Sequence, residues 1–189
     1  MGNKKYSFYL ALILVTAFTA IAVLSKIHWS KHSHVPKDGM PLSFHVSPVT
    51  RSNIYLYFTD TSTSFLMAEE RSFINVEDPA QFAKSIVEAL IAGPKGSLMR
   101  TIPSETTLRA LYLSKNGTAY VDLSENIKTD HPGGSRLEYF TVFSIVNSLI
   151  VNIPQIKAVK FLLGGNDALT LSGHIDIKLP FKANMLLVR

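Results

Sequence analysis

The sequence predicts an α+β domain: a mostly antiparallel sheet with two helices packed on one face, preceded by one N-terminal transmembrane helix. Three observations carry this. Runs of aromatic and β-branched residues alternate with two long stretches of helical period, in the order β-β-α-β-β-α-β-β. The strands come in adjacent pairs, and Asn116-Gly117 between two of them is a strong signal for a tight antiparallel hairpin. An uncharged run from Tyr6 to Leu24 precedes them, and as a helix it spans about 28 Å, close to a bilayer's hydrocarbon core.

Residues 1–26 hold that run. Lys4 and Lys5 stand before it, Lys26 and Lys31 after it. The run is long for a signal peptide, which favours an uncleaved anchor, although Ala20-Ile21-Ala22 also fits a cleavage site that would release the domain. The positive-inside tendency places the N-terminus in the cytoplasm and the domain outside. Residues 27–52 read as a linker, rich in proline and without sustained period. His28, His32 and His34 lie there, but no carboxylate or cysteine nearby completes a metal-ligand set, so they read as a solvated juxtamembrane stretch. Trp29 suits a membrane interface.

Residues 53–189 form the domain. Asn53 to Thr59 is a strand, and a second strand lies within Phe65 to Val76. Glu69, Glu70 and Arg71 in its middle suggest an exposed edge or solvent face. Asp78-Pro79 starts a helix, with an acid at the N-cap and proline at the first position. Phe82, Ile86, Val87, Leu90 and Ile91 share one face, and Gly93-Pro94 stops the helix. Leu108 to Leu113 and Thr118 to Leu123 form the hairpin, and Asn126 to Gly134 reads as a loop. Ser135-Arg-Leu-Glu138 reads as a capping box for a second helix reaching about Asn152, largely buried. Ala158 to Leu163 is a strand, Leu169 to Ile177 a further short strand, and Phe181 to Arg189 an apolar tail without period.

Composition excludes several functions. The absence of cysteine rules out disulfides, thiolate metal sites, a cysteine nucleophile and a lipid-acceptor cysteine. The formal charge of +5 rests largely on the lysines flanking the apolar run. Without Lys4, Lys5 and Lys26 the chain has 16 basic and 14 acidic residues, and no basic stripe is interleaved with aromatics, which argues against nucleic acid. Asp122, Ser124 and His174 supply the residue types of a hydrolytic triad, but the G-x-S-x-G elbow is absent and Ser124 reads better as a loop cap. Adjacent Glu69 and Glu70 point to opposite faces of a strand and cannot act together. Gly93-Pro-Lys-Gly-Ser97 lacks phosphate-loop spacing. Gly133-Gly134 precedes a helix N-terminus, a place suited to an anion, so the 128–136 loop with Gly134 and Arg136 is a candidate for a small anion or an envelope polymer.

The segments Tyr55-Leu-Tyr-Phe58, Leu90-Ile-Ala-Gly-Pro94, Thr101-Ile-Pro103, Ala119-Tyr-Val-Asp-Leu-Ser124 and Gly173-His-Ile-Asp176 resemble, in order and spacing, the GerMN domain of sporulation and germination proteins over roughly residues 53–178. The resemblance implies a non-enzymatic extracytoplasmic module in a membrane- or lipid-anchored envelope protein, and such a module is expected to contact protein partners or itself through a sheet edge or the face of the 136–152 helix. It implies a fold similar to the ring-building α-β-β-α-β unit, formed here by the helix at 79–92, the hairpin, the helix at 136–152 and the strand at 158–163. It carries over no catalytic, cofactor-binding or metal-binding residue. This chain departs from the family's sporulation proteins in having one copy of the module, no cysteine and a transmembrane-type anchor. Val121-Asp-Leu-Ser124 contains an aspartate that reads as structural, accepting local backbone hydrogen bonds.

Overall fold

The computed structural model describes residues 50–189 apart from Thr63. The expected membrane helix at 1–26, Trp29 and the linker histidines His28, His32 and His34 lie outside the described residues. Among the described residues no helix is long and apolar enough to cross a membrane.

β1 (Arg51–Thr59) and β2 (Leu66–Ile74) form an antiparallel hairpin that is a sheet of its own. The Asp60 carboxylate closes its turn by accepting the N–H groups of Ser64 at 2.8 Å and Phe65 at 3.2 Å. α1 (Pro79–Ala92) follows, N-capped by Asp78, whose side chain accepts the Ala80 N–H. Its buried face is Ala83, Ile86, Val87 and Leu90, with Phe82 and Ile91 packed half-buried beside them. Gly93 ends the helix at φ 91°, and an added Cβ there would meet the Arg100 guanidinium at 2.7 Å.

β3 (Leu108–Leu113), β4 (Thr118–Leu123) and β5 (Ala158–Leu163) form the second sheet, in the order β3-β4-β5. β3 and β4 are antiparallel, but β5 runs parallel to β4. The expectation of one mostly antiparallel sheet is therefore corrected to a hairpin plus a mixed sheet. The cause is α3 (Ser135–Asn152), which carries the chain back between β4 and β5 as a crossover, and a crossover makes its flanking strands parallel. Before it, α2 (Asn126–Thr129) is a single helical turn where a loop was expected.

The expected strand at 169–177 does not form. Thr170 and Asp176 make one isolated antiparallel bridge. The N–H groups of Ser172, His174 and Ile175, which a strand would give to a neighbour, go instead to the side chain of Glu138. Inward side chains from β1, α1, β4, α3 and β5 share one apolar core, centred on Leu56, Phe58, Leu90, Val121, Ile145 and Phe161. The C-terminal segment then wraps this body. Phe181 pairs with Val159 at the outer edge of β5, and Arg189 donates its backbone N–H to Leu66 at 3.0 Å.

Candidate functional site

α3 carries more buried polar side chains than any other element among the described residues: Glu138, Thr141, Ser144, Asn147 and Ser148. Its first turn carries no capping box. Gly134 occupies the N-cap at φ 89° and no side chain caps the helix. Glu138 turns inward instead and is fully buried. It accepts the N–H groups of Ser172, His174 and Ile175 at 3.0–3.1 Å, and His174 Nδ1 at 2.6 Å. Burial pushes this carboxyl up, but the Ile175 N–H, the His174 ring and the remaining donors together outweigh it and hold the group below the usual carboxylate range.

One turn further, a cleft of about 210 Å³ opens between Arg100–Pro103, the His131-Pro132 corner and Thr141. His131 Nδ1 accepts the Gly133 N–H at 3.0 Å, so the ring proton sits on Nε2, 3.0 Å from Thr141 Oγ1. Thr141 in turn donates to the Thr101 carbonyl. The Thr101 hydroxyl meets Ser144 Oγ at 2.7 Å, and Ser144 donates to the Tyr57 carbonyl at 2.6 Å. Burial disfavours the imidazolium most and outweighs the opposing pull of Glu138, and the neighbouring His174 adds a smaller push in the same direction as burial. The back wall of the cleft is thus a closed hydrogen-bond chain ending on backbone carbonyls.

The same helix face continues along β1. Ser148 Oγ accepts the Tyr57 N–H at 3.0 Å, while Asn152 accepts the Tyr55 N–H at 2.9 Å and donates to the Tyr55 carbonyl at 2.7 Å. Thr141, Ser144, Ser148 and Asn152 fall at helical spacing, and three of them satisfy the free edge of β1 where another strand would otherwise pair.

The three triad types do not come together. Asp122 accepts the Gly165 N–H at 2.8 Å and Arg109 Nε at 3.2 Å. Its partners are not the local backbone expected, because the Gly164-Gly165 turn after β5 lies at the end of parallel β4. Ser124 Oγ accepts the Thr107 N–H at 3.0 Å and extends the β3–β4 hairpin by one rung. His174 is held by Glu138.

Of the charged trio on β2, Glu70 is solvated as expected, but Glu69 and Arg71 are not. Arg71 is buried and paired with Glu69 at 2.5 Å. It donates to the Gly93 carbonyl at 2.7 Å, while Arg100 donates to the carbonyls of Ile91 and Ala92. α1 has no basic residue in its last turn, so two distant arginines cap its C-terminus. Glu69 also accepts the N–H groups of Lys95 and Gly96 at 3.0 Å, while Glu70 faces solvent beside Asn53. The irregular stretch after α1 is organised by these side chains, which sequence spacing alone does not connect.

A model of the Germane family, described by the words sporulation and spore germination, matches residues 55–169, more than half of the chain. Among solved structures the domain is similar to a candidate lipoprotein from Clostridium perfringens, at 24% identity over 70% of this chain and 87% of that one, with a TM-score of 0.52. It is similar to the first GerMN domain of the sporulation protein GerM from Bacillus subtilis, at 21% identity over 69% and 97% of the two chains and a TM-score of 0.56. Against the tandem GerMN domains of the same protein the values are 20%, 70% and 46%, and 0.57. The chain spans about half the length of that tandem pair. At these identities the likeness establishes the fold. No curated protein sequence matches the chain.

Proposed function

Since the chain belongs to the Germane family, whose description is sporulation and spore germination, we propose that it is a membrane-tethered module of the bacterial envelope whose outward domain makes protein–protein contacts and performs no catalysis. The observation that carries this reading is where the polar groups go. Asp122, Ser124 and His174 are each spent on a different structural partner. By contrast, the backbone of β3 on the side away from β4 has no hydrogen-bond partner among the described residues. An unpaired strand edge is a ready template for another chain. The face of α3 is not available for contact, because residues 140–149 of that helix are buried. Tyr112 and Tyr120, opposite each other on β3 and β4, both stay exposed next to the free edge. The tether rests on the apolar run 6–24, and the likeness to a candidate lipoprotein agrees with an envelope location.

The test is light scattering of residues 48–189 over a concentration series, with Tyr112→Lys as the edge variant. A concentration-dependent oligomer that Tyr112→Lys abolishes supports self-association through β3. A monomer throughout assigns the edge to a different protein, to be captured by cross-linking at position 112 in envelope membranes. Hydrolytic turnover lost on Ser124→Ala overturns the non-catalytic reading.

A second reading, binding of a small anion or envelope polymer by the 128–136 loop, has one observation in its favour. The N-terminus of α3 lacks a capping side chain, and the space around Gly133 and Gly134 is open. Gly134 is held in a conformation that side chains resist, so the clean test is Arg136→Gln. Unchanged affinity for inorganic phosphate in that variant removes this reading.

A further inference from the structure

We propose that residues 177–189 form a contact surface for an anionic lipid membrane. Leu186 and Leu179 are the two most exposed large apolar side chains among the described residues, at 92% and 77%. Exposed Met185 lies in the same segment. Charge is concentrated there too. Residues 50–176 carry eleven basic and thirteen acidic side chains, whereas residues 177–189 carry Lys178, Lys182 and Arg189 and no acid. An almost neutral domain therefore places positive charge, Lys182 and Arg189 beside the Asp176-paired Lys178, on the stretch that exposes Leu179 and Leu186, while Leu169 is exposed elsewhere.

The segment is held outward rather than left loose. Phe181 and Val159 exchange both backbone hydrogen bonds at 2.8 Å. Asn184 and Asn147 clasp each other through two hydrogen bonds of 2.9 Å. Arg189 is tied to Leu66 through its backbone and lies over the Phe65 ring at 4.2 Å. Phe181, Asn184 and Arg189 thus fix the backbone on either side of the exposed leucines. Beside Leu179 a recess of about 430 Å³ runs between Lys178, Pro180 and Phe181, and its one acid, Asp176, is paired with Lys178 at 3.0 Å.

The side-chain chemistry favours lipid over protein. Protein interfaces concentrate aromatic residues, methionine and arginine in their cores and are depleted in lysine. This segment offers exposed Leu179 and Leu186 interleaved with Lys178 and Lys182. Aliphatic side chains enter the acyl boundary while lysine heads reach the headgroup phosphates. The surface is a property of residues 177–189 and does not depend on the tether.

The chain has no cysteine, so Leu186→Cys gives one site for an environment-sensitive fluorophore. The labelled full chain is placed in nanodiscs of phosphatidylcholine alone or mixed with phosphatidylglycerol. The expected result is a blue-shifted, brighter emission in the anionic discs. It is lost in about 1 M salt, where the Debye length is about 3 Å, and lost in Lys178→Gln/Lys182→Gln. A fluorophore at Lys115→Cys, in the β3–β4 turn, reports no shift. Retention in both disc types with no shift at position 186 overturns the lipid contact and leaves the tether standing. Retention in anionic discs alone, with the shift, does the reverse. Retention in neither overturns both. A shift that is equal in the two lipids and grows with protein concentration assigns the surface to a protein contact and overturns the proposal.

Discussion

The carboxylate of Glu138, in the first turn of α3, holds the imidazole of His174 at 2.6 Å and gathers three backbone N–H groups of the 172–175 segment. A residue placed where a capping glutamate belongs has become the anchor for a loop more than thirty positions away. Glu138→Gln keeps the shape but turns an N–H group toward N–H donors. Losing a buried acceptor of this kind costs about 3 kcal/mol. The expected outcome is a lower denaturant midpoint, with hydrogen-exchange protection lost first at the amides of Ser172, His174 and Ile175.

Acid should destabilise the domain over two pH ranges. The folded state disfavours protonated His131, so between its ordinary value of 6.5 and its lower folded value the unfolded chain binds more protons. Stability from this site is complete above pH 6.5 and is lost as pH falls through the folded value. Glu138 has the same sign at lower pH, below its ordinary 4.5. Glu69 adds to that lower range, since its hydrogen bonds from Gly96, Arg71 and Lys95 outweigh the upward push of burial. Urea midpoints measured across pH should decline from near neutrality, and His131→Gln should flatten the upper decline while leaving the lower one. A midpoint that is constant from pH 7 down to 5 contradicts the neutral, half-buried imidazole.

Much of the backbone was legible because its signals are local. Asp78-Pro79, Gly93-Pro94 and Asn116-Gly117 act within a few residues, and the helix and hairpins stand where they indicate. The GerMN resemblance, carried by short segments in order, agrees with the matched family and fold. What escaped was decided by partners distant in sequence. Glu138 has the spacing of a capping box, and nothing local reveals that Ser172–Ile175 will claim it. Ser144, Ser148 and Asn152 read as interruptions of an apolar helix until β1 lies beside them. Glu69 and Arg71 read as solvated until the end of α1 arrives above them. Strand direction was missed for the same reason: β4 and β5 are parallel only because α3 crosses between them.

The polar stripe of α3 makes a graded prediction. Ser148→Ala leaves the Tyr57 N–H without its acceptor in a buried setting, and should cost about 2 kcal/mol, within the range for an unsatisfied buried donor. Asn152→Ala removes both bonds to Tyr55, but at an exposed position where water replaces them, and should cost less than half as much. Paired denaturation curves decide the order. An equal loss in the two variants means that helix packing, not the capture of the β1 edge, sets the stability of this junction.

The end of α1 offers the sharpest test of the charged trio. Glu69→Ala leaves Arg71 buried with its charge unpaired and releases the Lys95 and Gly96 N–H groups, whereas Arg100→Ala removes an exposed cap from the Ile91 and Ala92 carbonyls. Unpairing a buried charge costs about 3 kcal/mol, and a helix-terminal cation at an exposed site about 0.5 kcal/mol. Glu69→Ala should therefore be the more damaging of the two by a wide margin. Replacing both partners, Glu69→Leu with Arg71→Met, should recover part of the loss, because the uncompensated charge is gone even though the Gly93 carbonyl loses its donor. Recovery in the double variant attributes the damage to the stranded guanidinium. No recovery attributes it to the freed 93–97 segment, and hydrogen exchange at Lys95 and Gly96 then shows the loop opening in both variants alike.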